Sequence, residues 1–398
     1  PVLAGNRLFV PVIDLGDSTQ GGVVVFDALT GELLWEQRTG VSVHNSPAVW
    51  QDTVLFASSD GVLHAHDVAT GQERWVLDVG EGQPTQLTWM YAAPTVEDGI
   101  AYIGLKRRFL AVDVASGVPL WEADPAPRGG WLGSFSAAGV SQGVVMAAFS
   151  RGADGLVAYD AYTGQSLWNL PTPAALVVNS SLVSDGDMLY FANGQTVAHG
   201  VDLLSAEVRW REQLIAGAHD WSYGVMGTPA LAFSRLVVPT QFADLVALDA
   251  VTGAEQWRHA CTTSEIHPVH YQATGDSFSS APIVTGDIVW AGAADGILYA
   301  VDLVNGDSLW SLDLHAPILS APIASDRLLF VGTWDGTVRS LVSDIDPIIP
   351  PPPGSPSPGC GCAVAPRSPG PFGVFALVVL LAFALARVRW RAIRSTRR

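Results

Sequence analysis

The residues of this chain best equipped for chemistry fall in two stretches. His267 and His270 stand three apart in EIHPVHY, and His219 adjoins Asp220 in AGAHDWSY. Imidazole nitrogens and a carboxylate are ligand-type atoms for a divalent metal. His-x-x-His holds two imidazoles in register only on a helix, however, and no further Cys or carboxylate completes a recognised pattern, so no metal site is assigned. The same stretches, with two others, are rich in rings: Trp89, Tyr91, Trp131, Phe135, Trp221, Tyr223 and Tyr271, with His44 and His315 in shorter segments. Rigid amphipathic rings offer contact area at little entropic cost, which suits recognition of a peptide or a sugar. The alternative is that they roof a channel and pack on one another. No nucleotide loop, no Ser/His/Asp elbow and no paired-carboxylate site is present, so no catalytic residue is assigned.

The elements that must carry these loops are set by a repeat. In Phe26 to Trp35, FDALTGELLW, an Asp is followed three residues on by Thr-Gly and four later by Trp. The spacing returns at Asp67/Trp75, Asp113/Trp121, Asp160/Trp168, Asp249/Trp257 and Asp302/Trp310, and at Asp202/Trp210 with Ser205-Ala206 in place of Thr-Gly. Alternating apolar residues before each Asp read as a half-buried strand, and the residues leading to Trp as the next. Between them the Gly supplies a positive φ, and the Asp and Thr side chains close a tight turn on nearby N–H groups. Asp27, Asp67, Asp113, Asp160, Asp202, Asp249 and Asp302 are thus read as architectural, not as general acids. Their partners Trp35, Trp75, Trp121, Trp168, Trp210, Trp257 and Trp310 are read as anchors against the neighbouring unit.

Successive Trp intervals of 40, 46, 47, 42, 47 and 53 residues each hold four strand-like runs. That is the period of a propeller blade. Small residues and Pro open each inner strand, as at Ser46-Pro47, Ala93-Pro94, Thr228-Pro229, Ala281-Pro282 and Ala321-Pro322. The expected fold is all-β: an eight-bladed propeller of four-stranded antiparallel blades over residues 1–344, followed by a Pro-rich stalk and one hydrophobic helix. Residues 1–10 read as a first inner strand cut short. Blade eight has three strands before the chain turns Pro-rich, and its fourth is expected upstream of Pro1. His64 and His66 are expected to line the channel with their hydrogen-bonding needs met.

Charge narrows the partners. Seven of the 21 basic residues follow position 346, where no acid occurs, leaving the body with 14 basic against 38 acidic residues. A surface so acidic repels phosphate backbones and excludes nucleic acid. Residues 345–371 are a stalk, with IDPIIPPPPGSPSPG favouring polyproline II, and carry Gly359-Cys360-Gly361-Cys362. Residues 372–398 give an apolar run from Phe372 to Ala386 and an Arg-rich end. The run is shorter than the roughly 20 residues of a comfortable span, yet the flanking Arg residues favour a membrane segment with a cytoplasmic tail. Cys360 and Cys362 are too close for an unstrained disulfide, and with Cys261 they form no framework.

The end of the chain, 359–398, resembles the MYXO-CTERM sorting signals of myxobacterial surface proteins: a Gly-Cys element, one hydrophobic segment and a terminal Arg cluster. The resemblance implies processing or lipidation at Cys360 or Cys362 and delivery to the outer membrane or cell surface. The seven Asp-to-Trp motifs and the small-residue–Pro openings resemble the PQQ-binding-like propeller repeats of quinoprotein alcohol dehydrogenases and of the assembly lipoprotein BamB. For an enzyme that resemblance implies PQQ with calcium, a Cys-Cys pair beside the cofactor and a catalytic Asp. No Cys-Cys pair occurs here. The expectation is therefore a non-catalytic, envelope-displayed propeller without cofactor, binding a protein or glycan through Trp89, Tyr91, Trp131, His219, Asp220, Trp221, His267, His270 and Tyr271. The alternatives are a PQQ- and calcium-dependent dehydrogenase and a sensor domain of a larger protein.

Overall fold

A computed structural model describes residues 1–13, 20–79, 92–105, 108–123, 136–148, 155–170, 180–216, 227–242, 244–262, 277–278, 280–325 and 327–342. Within them, strands gather in eight antiparallel sheets, seven of four strands and one of three. Each sheet is a meander whose strands follow chain order from the axis outward. Blade one runs Val2–Ala4, Arg7–Val12, Gly22–Asp27 and Leu33–Arg38; blade two runs Ala48–Trp50, Thr53–Ala57, Val62–Asp67 and Glu73–Asp78. Blade eight contributes Ile323–Ser325, Leu328–Gly332 and Val338–Val342. Inner strands of neighbouring blades adjoin, and that of blade eight meets that of blade one, so the ring closes. The opening ten residues are not one inner strand: Gly5, at φ +55°, turns the chain so that Val2 pairs with Phe9, and two strands of blade one are present.

Second strands such as Thr53–Ala57 and Val144–Ala148 are buried along their whole length, because both faces of the sheet are covered by neighbouring blades, whereas Arg7–Val12 of blade one is only partly so. Outer strands expose two consecutive residues before the Trp, as in Glu73–Asp78. A β-bulge explains the break in alternation: Trp35 lies opposite Val25 and Leu33 opposite Phe26, leaving Leu34 as the extra residue. The same register shift recurs in blades two to seven. A bulge re-aims the side chain that follows it. Here the re-aimed side chain is the tryptophan.

Six of the re-aimed indoles, those of blades one to six, cross to the next blade and rest on its turn. The turn is built locally: Asp27 Oδ1 accepts from the amides of Leu29 and Thr30 at 2.9 and 2.8 Å and from the Thr30 hydroxyl at 3.1 Å. Asp67, Asp160, Asp202 and Asp249 repeat all three bonds. These bonds hold the Asp27, Asp113, Asp160 and Asp249 carboxyls below their usual range. On the shelf so formed, Trp35 Nε1 donates to the Val68 carbonyl at 3.2 Å, and Trp75, Trp121, Trp168, Trp210 and Trp257 donate to Val114, Ala161, Leu203, Ala250 and Leu303 at 2.8–2.9 Å. In every case the acceptor is the residue after the turn Asp.

Glycine is required on the shelf for two reasons. Gly71, Gly117, Gly164, Gly253 and Gly306 have φ between +71° and +78°. A Cβ on any of them would also lie 2.6–2.8 Å from an indole ring atom of the previous blade. Blade five departs, with Ala206 at φ +59°. Gly164→Ala is expected to cost about 2–4 kcal/mol, from left-handed strain and overpacking against Trp121. Ala206→Gly is expected to do the opposite, gaining about 0.5–1 kcal/mol as strain relief exceeds the added chain flexibility. Denaturant midpoints of the two variants, compared with the parent, check both signs.

Candidate binding face

The Asp-Thr-Gly turns all lie on one face of the ring. The hairpin turns between second and third strands, and the segments joining one blade to the next, lie on the other. Where that second face is described, it is a backbone-tied collar. The joining segment bonds to the hairpin turn of the blade it enters: Ser59 N to Ser42 O at 2.9 Å, Ala294 N to Ser277 O at 2.8 Å and Trp334 N to Pro317 O at 2.8 Å. It also bonds to the blade it leaves, through Val43 N to Val12 O, Phe278 N to Thr240 O and Ile318 N to Ala293 O.

A second set of ties was not read from the sequence. Ser180, Ser280 and Ser320 donate from Oγ to the carbonyls of Ala192, Gly292 and Gly332, twelve residues on, at 2.8–3.0 Å. Ser180 and Ser280 also accept from the amides of Ala192 and Gly292, and Asn45 makes the equivalent pair with Ala57. One side chain thereby satisfies both backbone groups at the end of a second strand. The signal was available: a Ser or Asn precedes the small-residue pair that opens the inner strand in each of these blades.

The hairpin turns carry polar groups. Ser58 Oγ contacts Asp60 at 2.5 Å and His64 Nε2 at 3.1 Å. Asp295 receives the Tyr299 hydroxyl at 2.5 Å and the Thr262 amide and hydroxyl at 3.1 and 2.8 Å. Asn193 and Gln241, in the turns of blades five and six, are buried, and Asn193 Nδ2 and Gln241 Nε2 have no hydrogen-bond partner. Trp334, in the Thr-Trp-Asp-Gly turn of blade eight, is 41% exposed, in contrast to the latch indoles, which are half-buried or, at Trp210 and Trp257, buried. Alignment with Ser58–Gly61 and with 293–296 places it at the second position of a turn.

The sequence-predicted contact residues Trp89, Tyr91, Trp131, His219, Asp220, Trp221, His267, His270 and Tyr271 all lie outside the described residues, as do Cys360, Cys362 and the whole of 343–398. His44 is half-buried, and burial lowers its pKa. His315 is exposed and faces Asp313 at 3.0 Å. Arg108 opens a strand of blade three and pairs with Glu122 at 2.5 Å. Among the described residues, no three His, Cys, Asp or Glu side chains converge as metal ligands, and no helix is long and apolar enough to cross a membrane.

His64 and His66 correct an expectation. They lie on the third strand of blade two, away from the channel, stacked on Phe56 at centroid distances of 5.1 and 5.3 Å. Phe56 belongs to the cluster that joins blades one and two with Phe9 and Trp35. Each histidine makes one hydrogen bond, to Ser58 or to the Gly71 carbonyl, and leaves its other ring nitrogen unpartnered. They fill a seam between blades, not a channel wall.

The propeller geometry is shared with known proteins. The family model described as "Outer membrane protein assembly factor BamB" matches residues 1–130, 87–226 and 199–344. The chain belongs to this family. Among curated members, it is 24% identical to the outer membrane protein assembly factor BamB of Burkholderia pseudomallei, over 75% of this chain and 73% of that protein. It is 26% identical to the serine/threonine-protein kinase AfsK of Streptomyces griseus, over 72% of this chain but only about a third (33%) of the kinase. Among solved structures, the quinohemoprotein alcohol dehydrogenase ADHIIG of Pseudomonas putida HK5 superposes with a TM-score of 0.66 at 15% identity, covering 84% of this chain and 69% of that one. At that identity the likeness is one of fold.

Family membership raises the question of a quinone. The Cys-Cys pair that the resemblance implies for an enzyme has no counterpart among the described residues, where Cys261 is the one cysteine and is buried.

The buried histidines give the fold a defined acid response. Burial pushes the His64 and His199 rings down to about 4, with His66 beside the former and Arg211 beside the latter adding to the effect. Both bind a proton more weakly in the fold than when unfolded, so unfolding takes up protons between about pH 6.5 and 4, and stability falls as pH drops through that window. The denaturation midpoint is expected to fall between about pH 7 and pH 4.5, and His64→Phe with His199→Phe to flatten that fall.

Proposed function

We propose that this protein is a non-catalytic, envelope-displayed propeller that binds a protein or glycan partner through the face opposite the Asp-Thr-Gly turns, in a BamB-like scaffold role. The observation that carries the reading is the collar. Its hairpin turns and joining segments are fixed to one another by backbone hydrogen bonds, and it presents an exposed indole at Trp334. Long segments held at both ends by a rigid ring are where recognition residues are usually placed. In this reading the segments bearing Trp89, Tyr91, Trp131, Trp221, His267, His270 and Tyr271, which join one blade to the next in the sequence, supply the contact residues. Family membership supports the scaffold role, since curated relatives are described as outer membrane protein assembly factors.

In this reading residues 1–344 are the binding domain, 345–371 the stalk with the Cys360/Cys362 processing element, and 372–398 the membrane segment and its Arg-rich tail. The match to AfsK favours a second reading, a sensor domain of a larger protein, because there the matching region makes up about a third (33%) of a serine/threonine-protein kinase. Crosslinking of the protein to an envelope fraction, with the captured species identified, tests the first reading. Trp131→Ala, Trp221→Ala and Trp334→Ala are each expected to reduce capture by about tenfold, the scale of one hot-spot ring. Calorimetric titration with PQQ and calcium is expected to give no heat of binding; tight, calcium-dependent binding would overturn the scaffold reading.

A further inference from the structure

The two histidines at the seam of blades one and two carry chemistry that packing does not use. His64 and His66 stand two apart on Val62–Asp67, so both imidazoles leave the same side of the sheet. That side faces blade one, since both rings stack on Phe56, whose cluster also holds Phe9, Val25 and Trp35. Ala65 between them faces the other way and packs with Val96 and Ile103 of blade three. The centroids of the two imidazoles are 6.2 Å apart, and their planes differ by 28°. His66 is fully buried and His64 partly so.

Hydrogen bonds fix which nitrogen of each ring carries its proton. Ser58 Oγ has one proton to give and two acceptors to give it to, Asp60 Oδ1 at 2.5 Å and the Val62 carbonyl at 3.2 Å. Toward His64 it therefore accepts, and His64 Nε2, 3.1 Å away, is the protonated nitrogen. The Gly71 carbonyl can only accept, so His66 Nδ1 donates to it at 3.0 Å. What remains is one lone pair on His64 Nδ1 and one on His66 Nε2, both buried and both without a partner. Burial lowers the pKa of both histidines, so neither lone pair takes up a proton near neutral pH. Ser58 belongs to the hairpin turn at one end of the strand, and Gly71 to the Asp-Thr-Gly turn at the other. The bonded nitrogens are thus drawn apart, and the lone pairs, on the far side of each ring, are turned toward the gap between them.

We propose that His64 Nδ1 and His66 Nε2 form a two-coordinate site for a soft monovalent cation, Cu(I), held between the rings at the seam of blades one and two. A metal–nitrogen bond of about 2 Å on each side fits the gap between rings so spaced. Each ring is braced as ligating histidines are, by a hydrogen bond from its other N–H to an oxygen. Charge decides the class of ion. Both ligands are neutral, the walls are apolar, and the Asp60 carboxylate reaches the pair only through Ser58 Oγ. The cost of burying an ion climbs with the square of its charge, which disfavours a divalent one here. Zn2+ also needs four donors, and among the described residues no third His, Cys, Asp or Glu joins the pair. Imidazole suits copper, and the monovalent ion is stable with two nitrogens in line.

Anaerobic titration of the full chain with Cu(I), buffered by a coloured chelator, tests the site. The parent should bind one equivalent more than His64→Phe or His66→Phe; the thiols of Cys261, Cys360 and Cys362 are common to all three and cancel in the difference. Loading that equivalent should raise the thermal midpoint of the parent and leave those of the two variants unmoved. Ser58→Ala, which releases the His64 ring without removing a ligand, should weaken the same equivalent by about tenfold. In the parent the 15N resonances of His64 Nδ1 and His66 Nε2 should move on loading, a readout that needs no variant to fold. Zn2+ should shift the midpoints of parent and histidine variants alike. Equal Cu(I) stoichiometry in all three proteins, or unmoved ring resonances, would overturn the site and leave the two lone pairs to a bridging water. A rise driven by Zn2+ that the histidine variants lose would overturn the monovalent assignment.

Discussion

An indole lying across the gap between two sheets, with its N–H on a carbonyl of the far one, is the interaction on which this ring depends. Packing alone would let two sheets slide, because apolar contact is non-directional. The N–H bond from Trp121 to Ala161 and its five counterparts fix each of blades one to six against the next in one position. Everything else in the repeat serves that contact. The bulge turns the ring outward from its own sheet, the small residue beneath it leaves room, and the Asp and Thr side chains hold the receiving turn while its glycine lets the ring come close. Tyr102 reinforces one seam by donating its hydroxyl to the same Ala161 carbonyl at 3.1 Å.

Much of this was legible in the sequence because the turn is a local object. An Asp that bonds amides two and three residues ahead needs no partner from elsewhere, so its spacing to Thr, Gly and Trp survives from blade to blade. The Trp interval announced the blade, and alternation before each Asp announced the strand that leads into its turn. Three features were missed for reasons that are also physical. The bulge at Leu34 disguises itself as a break in alternation. The opening residues form a hairpin because Gly5 permits a turn that strand propensity alone would not suggest. The serine ties depend on a partner twelve residues away, and nothing in the serine itself reveals which backbone groups it will satisfy.

The binding face was less legible, and the contrast between two kinds of tryptophan shows why. A latch tryptophan is identified by its neighbours in sequence, since its seat is a motif. Trp334 is identified only by what is not around it, because exposure follows from the position of a turn in the finished ring. His64 and His66 make the same point in reverse: apolar neighbours marked them as buried, but whether burial meant a channel wall or a seam depended on which strand of the blade they occupied. Their rings, stacked on Phe56, put ionisable groups where burial disfavours the charged form.

The collar and the latches are made by different faces of the same strands, and the latch has a direction. Each unit carries an indole on its trailing edge and a shelf on its leading one, both encoded within about one blade's length of chain. A tandem duplication of such a length, wherever it begins, yields a new unit whose two edges already match its neighbours. Variation in blade number among relatives then requires no invention of new surfaces; what limits it is the geometry of closing the circle, the angle that each sheet can subtend before the inner strands no longer meet.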